Sequence, residues 1–427
     1  MSGIILFSFM FLLLIVGMPI AMSLGMSSFF VMTMVDGAPP VSLLARSIVT
    51  GADSFPLIAV PLFVLAGDLM QRGGLSRRII SFASSLVGHV RASLCYVNVL
   101  ASMFFAAISG SAPATVAAIG ANVIPSMKEQ GYKSSFSSAL TASAGMIGVM
   151  IPPSIPFIIY GVTAEVSIGK LFLAGIIPGL LFGLAFMLMS RFLVRKQPVM
   201  ALELKPFSVK GVKDSFRESI WALIVPVIIL GGIYGGIFTP TEAGAVAVVY
   251  AIFCGIFIYK EISIKALPKI FSRSTLTSAT ILVLVVFASA FGRLITYEQI
   301  PTAVASALVA VSDNPIIILL LINLLLLCIG MFMETISAII ILTPILLPVV
   351  KVLGVDPIVF GVILTVNLAI GFCTPPLGVN IFVASQVSNV SIEKISRALL
   401  PFLAVMLLLL LLVTFIPGIS LLLTSFV

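Results

Sequence analysis

The chain has 427 residues, of which 60% are hydrophobic and only 9% charged, with a mean hydropathy of +1.28. Soluble domains carry about a quarter charged residues, so this composition excludes a soluble globular protein and describes one that crosses a membrane many times. The net charge of +8 then marks cytoplasmic loops rather than a nucleic-acid surface. Cys95, Cys254, Cys328 and Cys373 are scattered without CxxC or metal spacing, which excludes a disulfide framework.

The chain opens on MSGIILFSFMFLLLIVG (1–17). It lacks the basic start and small-residue cleavage site of a signal peptide, and predicts a retained first span. Arg72, Arg77 and Arg78 place 71–78 in the cytoplasm. Asp68 is expected to pair with Arg72 at a helix end. His89, the single histidine, ends an apolar stretch beside Arg91 and reads as interfacial rather than catalytic.

Apolar residues fill 93–109 and 115–125, separated by GSAPA (110–114). Both arms are shorter than the roughly 20 residues a bilayer needs, which predicts a re-entrant hairpin with its tip at SGSAPAT (109–115). Next, SMKEQGYKS (126–134) begins a helix that carries Pro152-Pro153 at its centre, in GMIGVMIPPSIPFIIYG (145–161). The loop 163–169 has almost no basic residues and falls outside. A span over 170–190 then leads to 191–218, where seven basic residues face three acidic ones and mark the cytoplasm. Two further spans meet at FTPTEAG (238–244), where Glu242 is expected to cap a helix started by Thr241. The basic stretch 260–273 is inside, and a span over 275–295 leads out to 296–301. Arg293 on that span is expected to snorkel outward or pair with Glu298. A second hairpin follows: 316–329 apolar, a tip at GMFMETIS (330–337), then 338–350. Another broken helix, LAIGFCTPPLGVNIFVA (368–384), descends to the cytoplasmic stretch 391–397.

Sliding the chain by 223 positions aligns Pro125, Lys128, Gly131, Gly148, Pro152 and Pro153 with Pro348, Lys351, Gly354, Gly371, Pro375 and Pro376 without a gap. Most of these residues dictate backbone shape, so the register predicts an internal duplication. The loop charges put the copies in opposite orientations: the first hairpin enters from the cytoplasm, the second from outside. The expected fold class is an all-α polytopic membrane protein with inverted repeats, each a re-entrant hairpin plus a broken transmembrane helix. That architecture belongs to secondary transporters.

Each proline pair removes backbone donors and frees carbonyls one turn back, those of Gly148 and Val149 in one repeat and of Gly371 and Phe372 in the other. An unpaired carbonyl in lipid costs several kcal/mol, about the value of a lost buried hydrogen bond or more. Such oxygens, at the negative end of a half-helix, suit a dehydrated Na⁺. Two Na⁺ sites are therefore expected, each between a hairpin tip and its facing break. The first would use Ser109, Gly110, Ser111, Gly148, Val149 and Pro152; the second Gly330, Glu334, Thr335, Gly371, Phe372, Thr374 and Pro375. Glu334 has three open roles: cation ligand, proton carrier or structural partner. An anionic substrate is expected between the tips, where half-helix starts offer N–H donors, with Thr115, Ser154, Ser337, Gly378 and Asn380 as candidate contacts. A channel is the alternative architecture that hairpins build. A membrane enzyme is disfavoured, because the serine in SGSA (109–112) has no histidine or carboxylate base nearby in sequence.

SGSAPATVAAIG (109–120), GYKSSFSSALTASAGMIGVMIPPSIPFIIYG (131–161), TPTEAGA (239–245), GMFMETISAIIILTPILLPV (330–349) and GFCTPPLGVNIFVAS (371–385) resemble the large membrane subunit of the tripartite ATP-independent periplasmic (TRAP) transporters. The resemblance covers essentially the whole chain. It implies Na⁺-driven import of an organic acid, sialic acid or a C4-dicarboxylate-like carboxylate, across the bacterial inner membrane. It also implies two partners: a periplasmic substrate-binding protein, and a small four-helix membrane subunit expected as a separate protein. Finally it implies an elevator-type movement. On this chain the scaffold would be 1–92, with an arm, and 164–315, with the cytoplasmic loop 191–218. The moving part would be 93–163 and 316–388, followed by a C-terminal helix in 389–427.

Overall fold

The computed structural model describes residues 2–90, 92–195, 207–312, 314–375 and 378–426. The first half of the chain forms α1 (Ser2–Ile15), α2 (Ile20–Met34), α3 (Val41–Ala52), α4 (Ala59–Arg72), α5 (Leu75–Val87), α6 (Ser93–Ser109), α7 (Ala112–Glu129), α8 (Ser134–Gly145), α9 (Ile155–Thr163) and α10 (Ile168–Val194). The second forms α11 (Val209–Tyr234), α12 (Pro240–Phe253), α13 (Leu267–Tyr297), α14 (Ile300–Val311), α15 (Pro315–Gly330), α16 (Thr335–Val352), α17 (Pro357–Gly371), α18 (Val379–Ser388) and α19 (Ile392–Phe415), with a final turn α20 (Gly418–Leu421). Among the described residues there is no strand, and seven helical stretches are long and apolar enough to cross a membrane.

Both predicted hairpins are present, α6–α7 and α15–α16, and both broken helices, α8–α9 and α17–α18. The 223-residue offset reaches much further than the six identities that revealed it. It carries α2 onto α12, α3 with α4 onto the single helix α13, α5 onto α14, and α10 onto α19. Even the packing is repeated: α5 lies on α11, and Gly3 of α1, the counterpart of α11, sits against Ile300 of α14. The α4–α5 junction is flanked by Arg72, Arg77 and Arg78, whereas the equivalent junction of α13 and α14 carries Glu298 and Gln299. The charges therefore oppose the two halves across the membrane.

Lipid supplies no hydrophobic drive to join two helices, so packing relies on close approach through small residues. The clearest case is α10. Leu180, Leu184, Leu188 and Phe192 form its exposed stripe, while Phe182 and Phe186 are fully buried. Gly175, Gly179 and Gly183 recur every fourth residue on its inner side. A Cβ at these positions would lie 2.3 Å from the Met150 carbonyl, 2.7 Å from Ile151 and 2.4 Å from the Met103 sulfur. The glycine ridge thus presses α10 directly onto the break that follows α8.

Two local expectations are corrected. The helix α12 starts at Thr239, not Thr241: the Thr239 hydroxyl accepts from the Glu242 N–H (3.3 Å) and the Glu242 carboxylate accepts from the Thr239 N–H (2.7 Å). This reciprocal box satisfies two otherwise orphaned donors; Thr241 lies inside the helix and donates to the Phe55 carbonyl. Asp68 pairs with the Ser274 hydroxyl (2.6 Å) rather than with Arg72. Arg293 is exposed, which fits its outward-snorkelling expectation. Arg78 pairs with Glu261 at 2.7 Å, with its guanidinium also over the Tyr259 ring. Thr239→Ala is expected to cost about 1 kcal/mol of helix capping and to leave uptake intact. In detergent this shows as a thermal midpoint lowered by no more than about 2 °C in a chain of this size.

Candidate functional site

Proline placement alone opens each broken helix. After α8 the chain tightens into a 3₁₀ turn, Met146–Val149, then bends through a cis Pro152–Pro153 bond before α9 begins. The break is sealed locally: Ser154 donates its hydroxyl to the Val149 carbonyl (2.6 Å) and accepts from the Phe157 N–H as the cap of α9. The carbonyl expected to be left free at Val149 is therefore engaged.

The tip of the first hairpin meets this break directly. Gly110, in the left-handed conformation at φ +59°, lets its carbonyl accept from the Ile155 N–H (3.4 Å), and a Cβ there would sit 2.6 Å from the Pro153 carbonyl. The Thr115 hydroxyl donates to the Ser111 carbonyl (2.8 Å) and lies 3.0 Å from the Ser109 hydroxyl. A Cβ on Gly148 would fall 2.6 Å from both the Ser111 carbonyl and the Thr115 hydroxyl. Ser109, Gly110, Ser111 and Gly148 thus come together as expected, and Thr115, assigned to substrate from sequence, joins them. Pro152 is buried behind the cluster.

The second repeat builds a similar meeting from backbone alone. Gly371 ends α17 against Gly330, and a Cβ on Gly371 would lie 2.4–2.6 Å from the Gly330 backbone. Glu334 is exposed at the tip and caps α16 by accepting from the Ser337 N–H (3.1 Å). Thr335 is buried beside it, and its hydroxyl has no partner. The Phe372 carbonyl, like that of Val149, is taken up within the protein, here by the Asn380 N–H (3.1 Å). Thr374 donates back to the Ile370 carbonyl, and Gly378, at φ +45°, faces the carbonyls of Phe372 and Thr374. Pro375 is half-buried; Pro376 lies outside the described residues.

The half-helices cross between repeats. The first, α9, packs on α16, and the second, α18, packs on α7 and α8. Asn380 makes the crossing polar: its amide donates to the Ala142 carbonyl (3.1 Å), and its oxygen has no partner. Ser154, Ser337 and Asn380 are all buried. Three polar groupings escaped the sequence reading. Asn98 donates to the Thr141 hydroxyl (2.7 Å); Asn367 donates to Asn323 (2.8 Å), which in turn donates to Thr414; and Ser102 is buried without a partner. The signal was available as an asparagine inside an apolar run, which is costly unless paired.

A family model described as "Tripartite ATP-independent periplasmic transporter, DctM component" matches residues 7–419. The chain belongs to the DctM family of TRAP transporters. Within it, this DctM chain is 49% identical over 97% of its length to the isethionate TRAP transporter permease protein DctMQ of Oleidesulfovibrio alaskensis, and the match spans 65% of that longer protein. It is 41% identical to the sialic acid TRAP transporter large permease protein SiaM of Vibrio cholerae, over 96% of each chain. Among solved structures it is similar to the YdaH transporter of Alcanivorax borkumensis, with a TM-score of 0.62 over 88% of this chain and 87% of that one, at 17% identity. At that identity the likeness shows a shared fold for the DctM chain, the all-helical inverted-repeat architecture.

Proposed function

We propose that this DctM chain imports a small organic anion by Na⁺ symport across the bacterial inner membrane, in an elevator-type movement of the two hairpins and broken helices. The observation that carries the reading is the contact of each hairpin tip with its own helix break. At the first contact neutral oxygens gather, Ser109, Ser111 and Thr115 around Gly148; at the second Gly330 meets Gly371, and the hydroxyl of Thr335, which opens α16 after that tip, is buried without a partner. The hard, uncharged oxygens of the first cluster suit a dehydrated monovalent cation better than a divalent one, and at the second tip Glu334 adds one carboxylate. Two such contacts support two Na⁺ sites. Elevator movement fits the domain division expected from sequence, with 93–163 and 316–388 moving.

The N-termini of α9 and α18 offer donors to an acid. The substrate class follows from the family's named members. Sialic acid and C4-dicarboxylates are carboxylates; isethionate, from the name of one relative, extends the class to sulfonates, which the same donors suit. A small four-helix membrane subunit and a periplasmic substrate-binding protein complete the assembly.

The test is uptake into proteoliposomes holding the chain with its small subunit, fed by the cognate binding protein. Isethionate, sialic acid and succinate should be compared, each with external Na⁺ or K⁺. Uptake of one of these acids is expected to saturate and to require Na⁺. Equal uptake in K⁺ would sink the sodium reading, and unsaturated ohmic current would replace the transporter with a channel.

A further inference from the structure

The first cluster lies at the far end of a polar line that runs down α6. Cys95, Asn98, Ser102 and Ser109 share one side of this helix, at spacings of three, four and seven residues. That side faces α7, α8 and the 3₁₀ turn: Asn98 reaches Met127 and Thr141, while Met103 and Phe104 point away, to Gly183 and Phe82. Asn98 and Ser102 are both fully buried. The Asn98 side-chain oxygen and the Ser102 hydroxyl, one turn apart, each have no hydrogen-bond partner. Two unpaired polar atoms on one buried face are costly in a dry apolar core. Water or a cation could meet both, since the amide oxygen accepts and the hydroxyl oxygen has lone pairs. Ser102 lies about 10 Å along the helix from Ser109, too far to belong to the tip cluster. By the loop charges, the hairpin's open end is cytoplasmic, so Asn98 and Ser102 stand between the tip cluster and the cytoplasm.

We propose that Asn98 and Ser102 form a hydrated way station for the coupling cation, occupied as it leaves the tip cluster for the cytoplasm. This rests on the sodium reading above. The Asn98 oxygen and the Ser102 hydroxyl are hard neutral ligands, and the Thr141 hydroxyl accepts from the Asn98 amide beside them. Water supplies the remaining coordination, so the site binds weakly and empties readily.

The test is thiol accessibility at Ser102→Cys, a change of one atom, in inside-out vesicles with the small subunit present. A small cationic methanethiosulfonate is added from the cytoplasmic side, and the wild-type chain gives the background of the four native cysteines. We expect labelling about tenfold faster than background, since thiol reactivity follows access to water and reagent, with Na⁺ but not K⁺ slowing it. Ser102→Ala, which removes the proposed ligand, should reach the membrane folded and show weaker inhibition of uptake by internal Na⁺. If wild-type uptake requires Na⁺ while the introduced cysteine stays at background, the way station is wrong and the sodium reading stands. Labelling that ignores Na⁺ would make the seam a water path only, overturning the cation site. If wild-type uptake itself ignores Na⁺, the sodium reading fails and takes this proposal with it.

Discussion

Gly371→Ala is expected to abolish uptake while the protein still assembles in the membrane. The added Cβ would lie 2.4 Å from the Gly330 carbonyl carbon and 2.6 Å from its oxygen. Both neighbours are backbone, so no side chain can swing away, and the tip must separate from the break. Overpacking of this kind costs about 3 kcal/mol, equivalent to about a hundredfold loss of the aligned geometry. The control is Gly231→Ala in α11, where a Cβ meets nothing within 4 Å. It should transport as the native chain does. Substrate uptake and surface expression of both variants decide the matter. Normal uptake by Gly371→Ala would mean that the contact of Gly330 with Gly371 has no part in transport.

The second large effect concerns Thr115. Its hydroxyl is the centre of the first cluster, donating to the Ser111 carbonyl and lying 3.0 Å from the Ser109 hydroxyl. Valine keeps the shape and removes the oxygen. A lost ligand to a charged group is worth about 1.5–3 kcal/mol, so Thr115→Val should raise the external Na⁺ needed for half-maximal uptake about tenfold or more. Thr115→Ser retains the hydroxyl and should return close to native sodium dependence. Measured in proteoliposomes, the split between half-saturation and maximal rate separates the two roles. A merely structural Thr115 would lower the maximal rate in both variants and leave the sodium dependence where it was.

Much of the architecture was legible in the residues. Arms too short for a bilayer predicted the hairpins, and the turns between them fell where SGSAPAT and GMFMETIS placed them. Charge asymmetry gave the orientation. Less was legible of the site. Thr115, a candidate substrate contact, shares a hydrogen-bonded cluster with Ser109 and Ser111, which its spacing alone does not show. Two further candidate contacts take structural roles that the sequence does not show: Ser154 caps α9, and Asn380 bridges to Ala142. The duplication shows in six identities around the hairpins and breaks, yet it extends to α2–α5 and α10, where the shared residues, such as Pro178 with Pro401 and Phe192 with Phe415, are scattered among apolar positions that could match by chance.

The sequence by itself determined where the backbone must bend and break. Proline lacks its donor and glycine its side chain whatever surrounds them, so Pro152, Pro375, Gly110 and Gly378 act locally. Tertiary structure alone decided which groups answer those breaks. Whether the Val149 carbonyl waits for an ion or is met by Ser154, and whether Asn98 finds Thr141, depends on how helices far apart in sequence slide and rotate against one another. That register is set by packing, through Gly175, Gly179 and Gly183 on α10 and through Gly330 on Gly371. It is a property of surfaces in contact, and a linear pattern of residues does not contain it.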